Sequence, residues 1–156
     1  MVDASALITL GGAGALSLLG LGPYMAVTVP EVYRETVEIG LARIYPDAAA
    51  IARAFQQGLV RLREPTHTGP ITGISPTDSL VLRLAEETRA VLLVNDHTLL
   101  RNAQQRGVVA RFSAELVLEL GKTGKISRPR QERLLAEFVA NGRYSEEFIQ
   151  ALRLRR

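Results

Sequence analysis

The sequence contains no cysteine and no tryptophan, and its only histidines are His67 and His97. Without cysteine the chain forms no disulfide, offers no thiolate nucleophile and cannot hold zinc through sulfur. Two isolated histidines do not supply the usual structural zinc site, so any bound metal must be held mainly by oxygen. Lysine is scarce as well, because 17 of the 19 basic residues are arginine. The net charge of +3 favours anionic partners only weakly.

Charged residues are also missing from the whole stretch 4–30, which is long enough to cross a bilayer. A signal peptide or membrane anchor is not expected there, because Asp3 stands where a positive charge is needed, and five glycines and Pro23 interrupt the stretch. We interpret it as buried parallel strands and the helices that cover them. We therefore expect no membrane association and a cytoplasmic location.

The remaining composition is that of an ordinary globular domain. The 156 residues are 47% hydrophobic and 22% charged, which argues against intrinsic disorder and suits a single hydrophobic core. No internal repeat or low-complexity linker divides the chain. We expect one domain spanning 1–156, in which 113–156 form a C-terminal helical extension.

Short β-rich runs alternate with helical patterns along the chain. The five expected strands are Met1–Asp3, Met25–Val29, Leu59–Leu62, Ala90–Val94 and Val108–Phe112. The expected helices are Pro30–Ile39, Asp47–Gln57, Pro76–Thr88, His97–Arg106, Ser113–Gly121, Arg128–Ala140 and Ser145–Leu154. This alternation predicts an α/β fold, in which right-handed crossover units form a parallel sheet of about five strands with helices on both faces.

Acidic residues follow the ends of the expected strands, where open parallel sheets bind their ligands. Asp3 and Asp96 directly follow strands, Asp78 lies in the first turn of the helix before the fourth strand, and Glu35 lies on the helix after the second. Taken singly, each acid has a structural explanation. Asp3 and Asp96 can cap helices, Asp78 belongs to a capping box that begins at Ser75, and Glu35 can be a solvated helix residue.

Convergence of these four acids favours a functional interpretation. In a doubly wound fold they come from separate elements and point into one crevice, where like charges raise one another's pKa unless a cation is present. Oxygen-only ligation selects Mg²⁺ or Mn²⁺ and leaves water positions open for a substrate phosphate. Such a site is typical of a metal-dependent nuclease that uses water as its nucleophile.

Four motifs carry a family resemblance: VDASALI at 2–8, VTVPEVYRE at 27–35, SPTDSLVL at 75–82 and LLVND at 92–96. In their order and spacing they resemble the PIN-domain family, the ribonuclease fold of VapC-type toxins. The resemblance spans nearly the whole chain, whose tail is similar to a prokaryotic branch with extra C-terminal helices. It implies a PIN-like three-layer sandwich and a Mg²⁺- or Mn²⁺-dependent endoribonuclease that hydrolyses RNA. The catalytic and metal-binding residues that it implies are Asp3, Glu35, Asp78 and Asp96, with Ser5 and Asn95 as supporting residues.

The same resemblance implies the toxin of a toxin–antitoxin pair. Such toxins form homodimers and are held inactive by an antitoxin protein, which we expect to place an arginine among Asp3, Glu35 and Asp96. The apolar stretch between Leu7 and Leu21 exceeds what a short covering helix needs. We therefore expect this stretch to form a C₂ homodimer interface.

Two other functions remain open on the sequence. A divergent PIN fold can serve as a binding or scaffold module without turnover, because fold does not fix function, although the presence of all four acids argues against this. A small-molecule phosphate-ester hydrolase also fits an acidic crevice, but the chain has no distinctive nucleophile motif. His67 and His97 are interpreted as loop and helix-start residues, with a phosphate contact as the alternative for His97.

Overall fold

The computed structural model describes residues 1–155 and shows a mixed α/β fold whose short strands pair in parallel. Its strands are β1 (Ala26–Thr28), β2 (Val60–Leu62), β3 (Leu92–Leu93) and β4 (Ala110–Arg111). β1 pairs with β2, and β3 pairs with β4. Val2 lies between the two pairs, since it forms a parallel bridge with Leu93 and donates a 3.0 Å hydrogen bond to the carbonyl oxygen of Val27.

The five expected strands therefore correspond to four shorter strands and one bridge residue, and a continuous five-stranded sheet is not shown. The first segment illustrates the cause. Asp3 is still extended but serves as the N-cap of the helix that begins at Ala4, so the segment is too short for a regular strand and only Val2 forms a bridge.

The helices expected from the sequence are present, with small shifts at their ends. The α-helices in the described residues are α1 (Ala4–Gly12), α2 (Pro30–Tyr33), α3 (Ile39–Ala42), α4 (Ala48–Gln56), α5 (Pro76–Thr88), α6 (His97–Gln105), α7 (Ser113–Lys122), α8 (Arg128–Ala140) and α9 (Glu146–Leu154). A π-helical turn at Arg34–Glu38 joins α2 and α3 into one continuous helix, and a 3₁₀ helix spans Leu16–Gly20. Within residues 1–155, no helix combines the length and the apolar character needed to span a membrane.

Most of the leucines of the apolar stretch 7–21 lie inside the core of a single chain. Leu7, Leu10 and Leu18 are 0–1% exposed, Leu16 is 7% exposed, and α1 packs against α4 and α7. The expectation that this stretch has apolar surface to spare for a homodimer interface is therefore wrong. Leu7, Leu10, Leu16 and Leu18 fill the space between helices, and Leu19 and Leu21 are half-buried against the same core. The homodimer keeps only the support of the family resemblance.

The last three helices are attached to the rest of the fold through α7, which contacts α1, α8 and α9. Aromatic rings reinforce this attachment. Tyr144 and Phe148 stack with their centroids 5.4 Å apart, and the ring of Phe112, at the end of the last strand segment, meets Phe148 edge-on at 5.1 Å. Tyr144 is thereby held next to the junction of β4 and α7.

Candidate active site

The four acids Asp3, Glu35, Asp78 and Asp96 are called the acidic group below. Asp3 is its buried member and caps α1. Its Oδ1 accepts a 2.8 Å hydrogen bond from the N–H of Ala6, and the hydroxyl of Ser5 lies 2.8 and 2.7 Å from its two carboxylate oxygens. Asp3 is 2% exposed. Burial raises the pKa of Asp3 to about 7, the hydrogen bonds from Ala6 and Ser5 oppose this rise, and the negative charges of Asp78 and Asp96 add to it.

Asp78 lies in the first turn of α5, directly behind the helix cap. The Oγ of Ser75 accepts a 3.0 Å hydrogen bond from the N–H of Asp78, which is the capping contact that the sequence predicts. Burial raises the pKa of the half-buried Asp78 carboxyl, a hydrogen bond with Ser75 opposes the rise, and the charges of Asp96 and Glu35 add to it. Asp78 thus serves the helix through its backbone, while its carboxylate interacts with the other three acids, Asp3, Glu35 and Asp96.

Asp96 follows the third strand and caps α6. Its Oδ1 accepts a 2.8 Å hydrogen bond from the N–H of Leu99, so the capping interpretation of this residue is confirmed. Asp96 is exposed, yet its charge acts on both Asp3 and Asp78. Capping and membership of the acidic group are therefore compatible.

Glu35 reaches the group from the π-helical turn that joins α2 and α3. Such turns insert an extra residue into a helix, change the direction of the side chains and occur frequently at functional sites. The Oε1 of Glu35 accepts a 2.6 Å hydrogen bond from the hydroxyl of Thr77, the residue before Asp78. The sequence pattern predicts a helix here but contains no signal for the π turn or for this contact.

Among the described residues, 1–155, the four acids form one electrostatic group that has no ion pair with lysine or arginine. Within residues 1–155, the ion pairs to lysine or arginine involve other carboxylates, such as those of Glu86 and Glu132. An uncompensated, all-oxygen group of this kind suits a hard divalent cation such as Mg²⁺ or Mn²⁺.

The acids are not arranged as a ready-made ligand set. No three His, Asp or Glu side chains in the part of the chain that the structure describes lie close enough together to hold a metal ion. Asp3 and Asp96 are hydrogen-bonded to their own helices, and Glu35 is hydrogen-bonded to Thr77. Side-chain rotation would therefore have to accompany metal binding.

The two expected supporting residues, Ser5 and Asn95, are hydrogen-bonded to each other. The N–H of Asn95 donates to the Oγ of Ser5 over 2.9 Å, and the side-chain amide of Asn95 donates to the hydroxyl of Thr9. The Oδ1 of Asn95 accepts from the N–H of Ser113 over 3.2 Å and from the hydroxyl of Tyr144. Sequence reasoning missed Tyr144, because its partners are distant in the chain and no motif links them.

The two histidines lie where the sequence predicts them. His67 is an exposed loop residue whose N–H donates to the Oε1 of Glu87 over 2.8 Å. His97 begins α6, and its ring centroid is 5.0 Å from that of Phe112. A phosphate contact by His97 stays a prediction.

The sequence comparison decides the family. A family model described as a PIN domain matches residues 1–156. The chain belongs to the PIN-domain family. No curated protein and no solved structure matches the sequence significantly. PIN domains are generally nucleases that act on nucleic acids and use divalent metals. The match identifies the family but does not assign the chain to its VapC-type branch.

Proposed function

We propose that this PIN domain is a Mg²⁺- or Mn²⁺-dependent endoribonuclease. The observation that carries the proposal is the convergence of four acids from separate elements: the charges of Asp78 and Asp96 act on Asp3, those of Asp96 and Glu35 act on Asp78, and Glu35 accepts a hydrogen bond from Thr77 beside Asp78. Their burial is graded, because Asp3 is buried, Asp78 is half-buried, and Asp96 and Glu35 are exposed. This gradient suits a site with a rigid floor and a rim that is open to a large substrate.

Asp3, Glu35, Asp78 and Asp96 are the residues that would hold the cation. A divalent cation supplies positive charge that polarises a phosphodiester and lowers the pKa of water. Ser5 orients Asp3 through its hydroxyl, and Asp3 must give up a proton before it can act as a ligand. Asp96 and Glu35 lie at the exposed edge, where an RNA backbone can approach.

The wider proposal includes the toxin role, an antitoxin protein as a partner, and a homodimer, all of which rest on the family resemblance. It also includes a cytoplasmic location and a single domain with a helical extension at 113–156. The excess of positive charge over the chain as a whole supports binding of a polyanion such as RNA, although only weakly.

Cleavage of an end-labelled RNA under single-turnover conditions with Mn²⁺ tests the nuclease proposal. Asp96→Asn keeps a capping oxygen for α6 but removes a charge from the acidic group, so we expect cleavage to fall at least about 100-fold. Asp47→Asn is the matched control, since Asp47 is the one aspartate outside the group and its side chain makes no capping hydrogen bond. Equal cleavage by wild type and Asp96→Asn would contradict the assignment.

The binding-module alternative has one observation in its favour, namely that no three-residue metal-binding group is assembled within residues 1–155. It predicts that wild type binds RNA in a gel-shift experiment and leaves the RNA intact when Mn²⁺ is added. Metal-dependent appearance of defined fragments from wild type, and their loss in Asp96→Asn, would exclude this alternative.

A further inference from the structure

We propose that Tyr144 of the C-terminal extension is a positioning residue for the candidate active site and acts through Asn95. The inference deepens the proposed nuclease function and rests on it for its catalytic consequence. Tyr144 lies next to Ser145, the N-cap of α9, far along the chain from the acidic residues that the sequence motifs identify. Its hydroxyl nevertheless donates a hydrogen bond to the Oδ1 of Asn95.

Asn95 connects this hydroxyl to two acids. Its backbone N–H donates to the Oγ of Ser5 over 2.9 Å, and the hydroxyl of Ser5 lies 2.7 Å from the Oδ2 of Asp3. Asp96 is the next residue in the chain, so the position of Asn95 also constrains where Asp96 lies. Tyr144 thus holds the side chain of Asn95, and the backbone of Asn95 in turn helps to position Asp3 and Asp96.

The Tyr144 hydroxyl is itself held rigidly. Tyr144 is 8% exposed, and its ring lies against Phe148 at 5.4 Å, Phe138 at 5.8 Å and Phe112 at 6.1 Å. The hydroxyl oxygen also accepts a 3.3 Å hydrogen bond from the N–H of Ala114. Because both the ring and the oxygen are fixed, the direction of the donated hydrogen bond is fixed as well.

Loss of this hydroxyl would leave Asn95 less constrained. The Oδ1 of Asn95 would keep only the 3.2 Å hydrogen bond from the N–H of Ser113, while its amide group would still donate to Thr9. Small displacements of catalytic groups carry large rate penalties, and an error of about 1 Å can cost roughly 100-fold. We therefore expect a partial misplacement to reduce the rate by about 10-fold.

Tyr144→Phe is the appropriate variant, because it keeps the ring in its aromatic surroundings and removes only the hydroxyl. With Mn²⁺ and saturating RNA, kcat should fall about 10-fold while KM for RNA stays unchanged, since the hydroxyl does not touch substrate. Tyr24→Phe is the matched control, as Tyr24 is 81% exposed. The double variant with Ser5→Ala should lose no more than Ser5→Ala alone, because both changes break one chain of contacts.

Hydrogen–deuterium exchange on the metal-free protein provides a readout that needs no activity. Tyr144→Phe should accelerate exchange at the N–H of Asn95, which donates to Ser5, and at the N–H of Ala6, which donates to Asp3. Exchange within α4 should stay at the wild-type rate. Unchanged exchange at both amides, or equal acceleration in α4, would overturn the inference whatever happens to kcat.

The two proposals fail in distinguishable ways. If wild type and Asp96→Asn are equally inactive, the nuclease proposal fails, and the exchange experiment still decides whether Tyr144 constrains Asn95. If wild type cleaves RNA and Tyr144→Phe matches Tyr24→Phe in kcat, or if its loss multiplies with that of Ser5→Ala, the positioning role fails and the nuclease proposal stands.

Discussion

At Asp3 a single carboxyl group combines a structural role with a candidate chemical one. It caps α1 through Ala6, and its burial raises its pKa from 3.8 to about 7. Between these two pH values the folded protein retains a proton that the unfolded chain releases. The free energy of unfolding of the metal-free protein should therefore fall as the pH rises from about 4 to 7 and level off above that range.

Asp3→Asn should remove this pH dependence while keeping a capping oxygen. Urea denaturation at pH 4 and pH 8 should show that wild type loses up to about 4 kcal/mol relative to the variant over this range. Parallel pH profiles for the two proteins would mean that the Asp3 carboxyl titrates normally and is not desolvated as described.

At the scale of the element, two residues at the start of α5 have different roles: Ser75 caps the helix, and Asp78 is a candidate metal ligand. Ser75→Ala removes the cap acceptor and should lower the free energy of unfolding by about 1 kcal/mol. Asp78→Asn keeps the helix start, so it should leave the fold intact and abolish Mn²⁺-dependent RNA cleavage. Ser127→Ala is the control for the loss of a helix cap. The Oγ of Ser127 accepts a hydrogen bond from the N–H of Arg130, so this serine caps α8 as Ser75 caps α5. Cleavage by Asp78→Asn at the wild-type rate would reduce the site to three acids.

The helices with local capping signals could be predicted closely from the sequence, whereas two other helical features could not. Ser75-Pro76 and Asp96 mark helix starts because the capping contact lies within three residues. α1 is apolar nearly all round, so no period of 3.6 residues reveals it. No residue type or spacing in the sequence predicts the π turn at Arg34–Glu38, although this turn determines how Glu35 reaches Thr77.

At the scale of the whole molecule, the order of the motifs predicts where the acids lie in the fold, whereas the long-range contacts could not be predicted from the sequence. Asp3, Asp78 and Asp96 could be placed at strand ends and helix starts, because strand alternation and the family motifs agree on those positions. The contact from Tyr144 to Asn95 depends on how α7, α8 and α9 fold back, which no local pattern specifies.

For the stretch 7–21 the sequence predicts an intermolecular contact that the structure does not support. Its apolar content indicates burial correctly, but a sequence cannot show whether another helix of the same chain or a second chain covers it. In the structure the cover comes from within, since α1 packs against α4 and α7 and leaves Leu7 and Leu10 inaccessible.

Titration calorimetry with Mn²⁺ at pH 8 tests the central claim most directly, namely that the four acids bind a divalent cation together. Wild type and Asp47→Asn should bind Mn²⁺ with the same affinity. Asp78→Asn should bind at least about 10-fold more weakly, because even indirect partners of a metal site typically contribute that much. Binding of equal strength by all three proteins, or the absence of binding by wild type, would contradict the account.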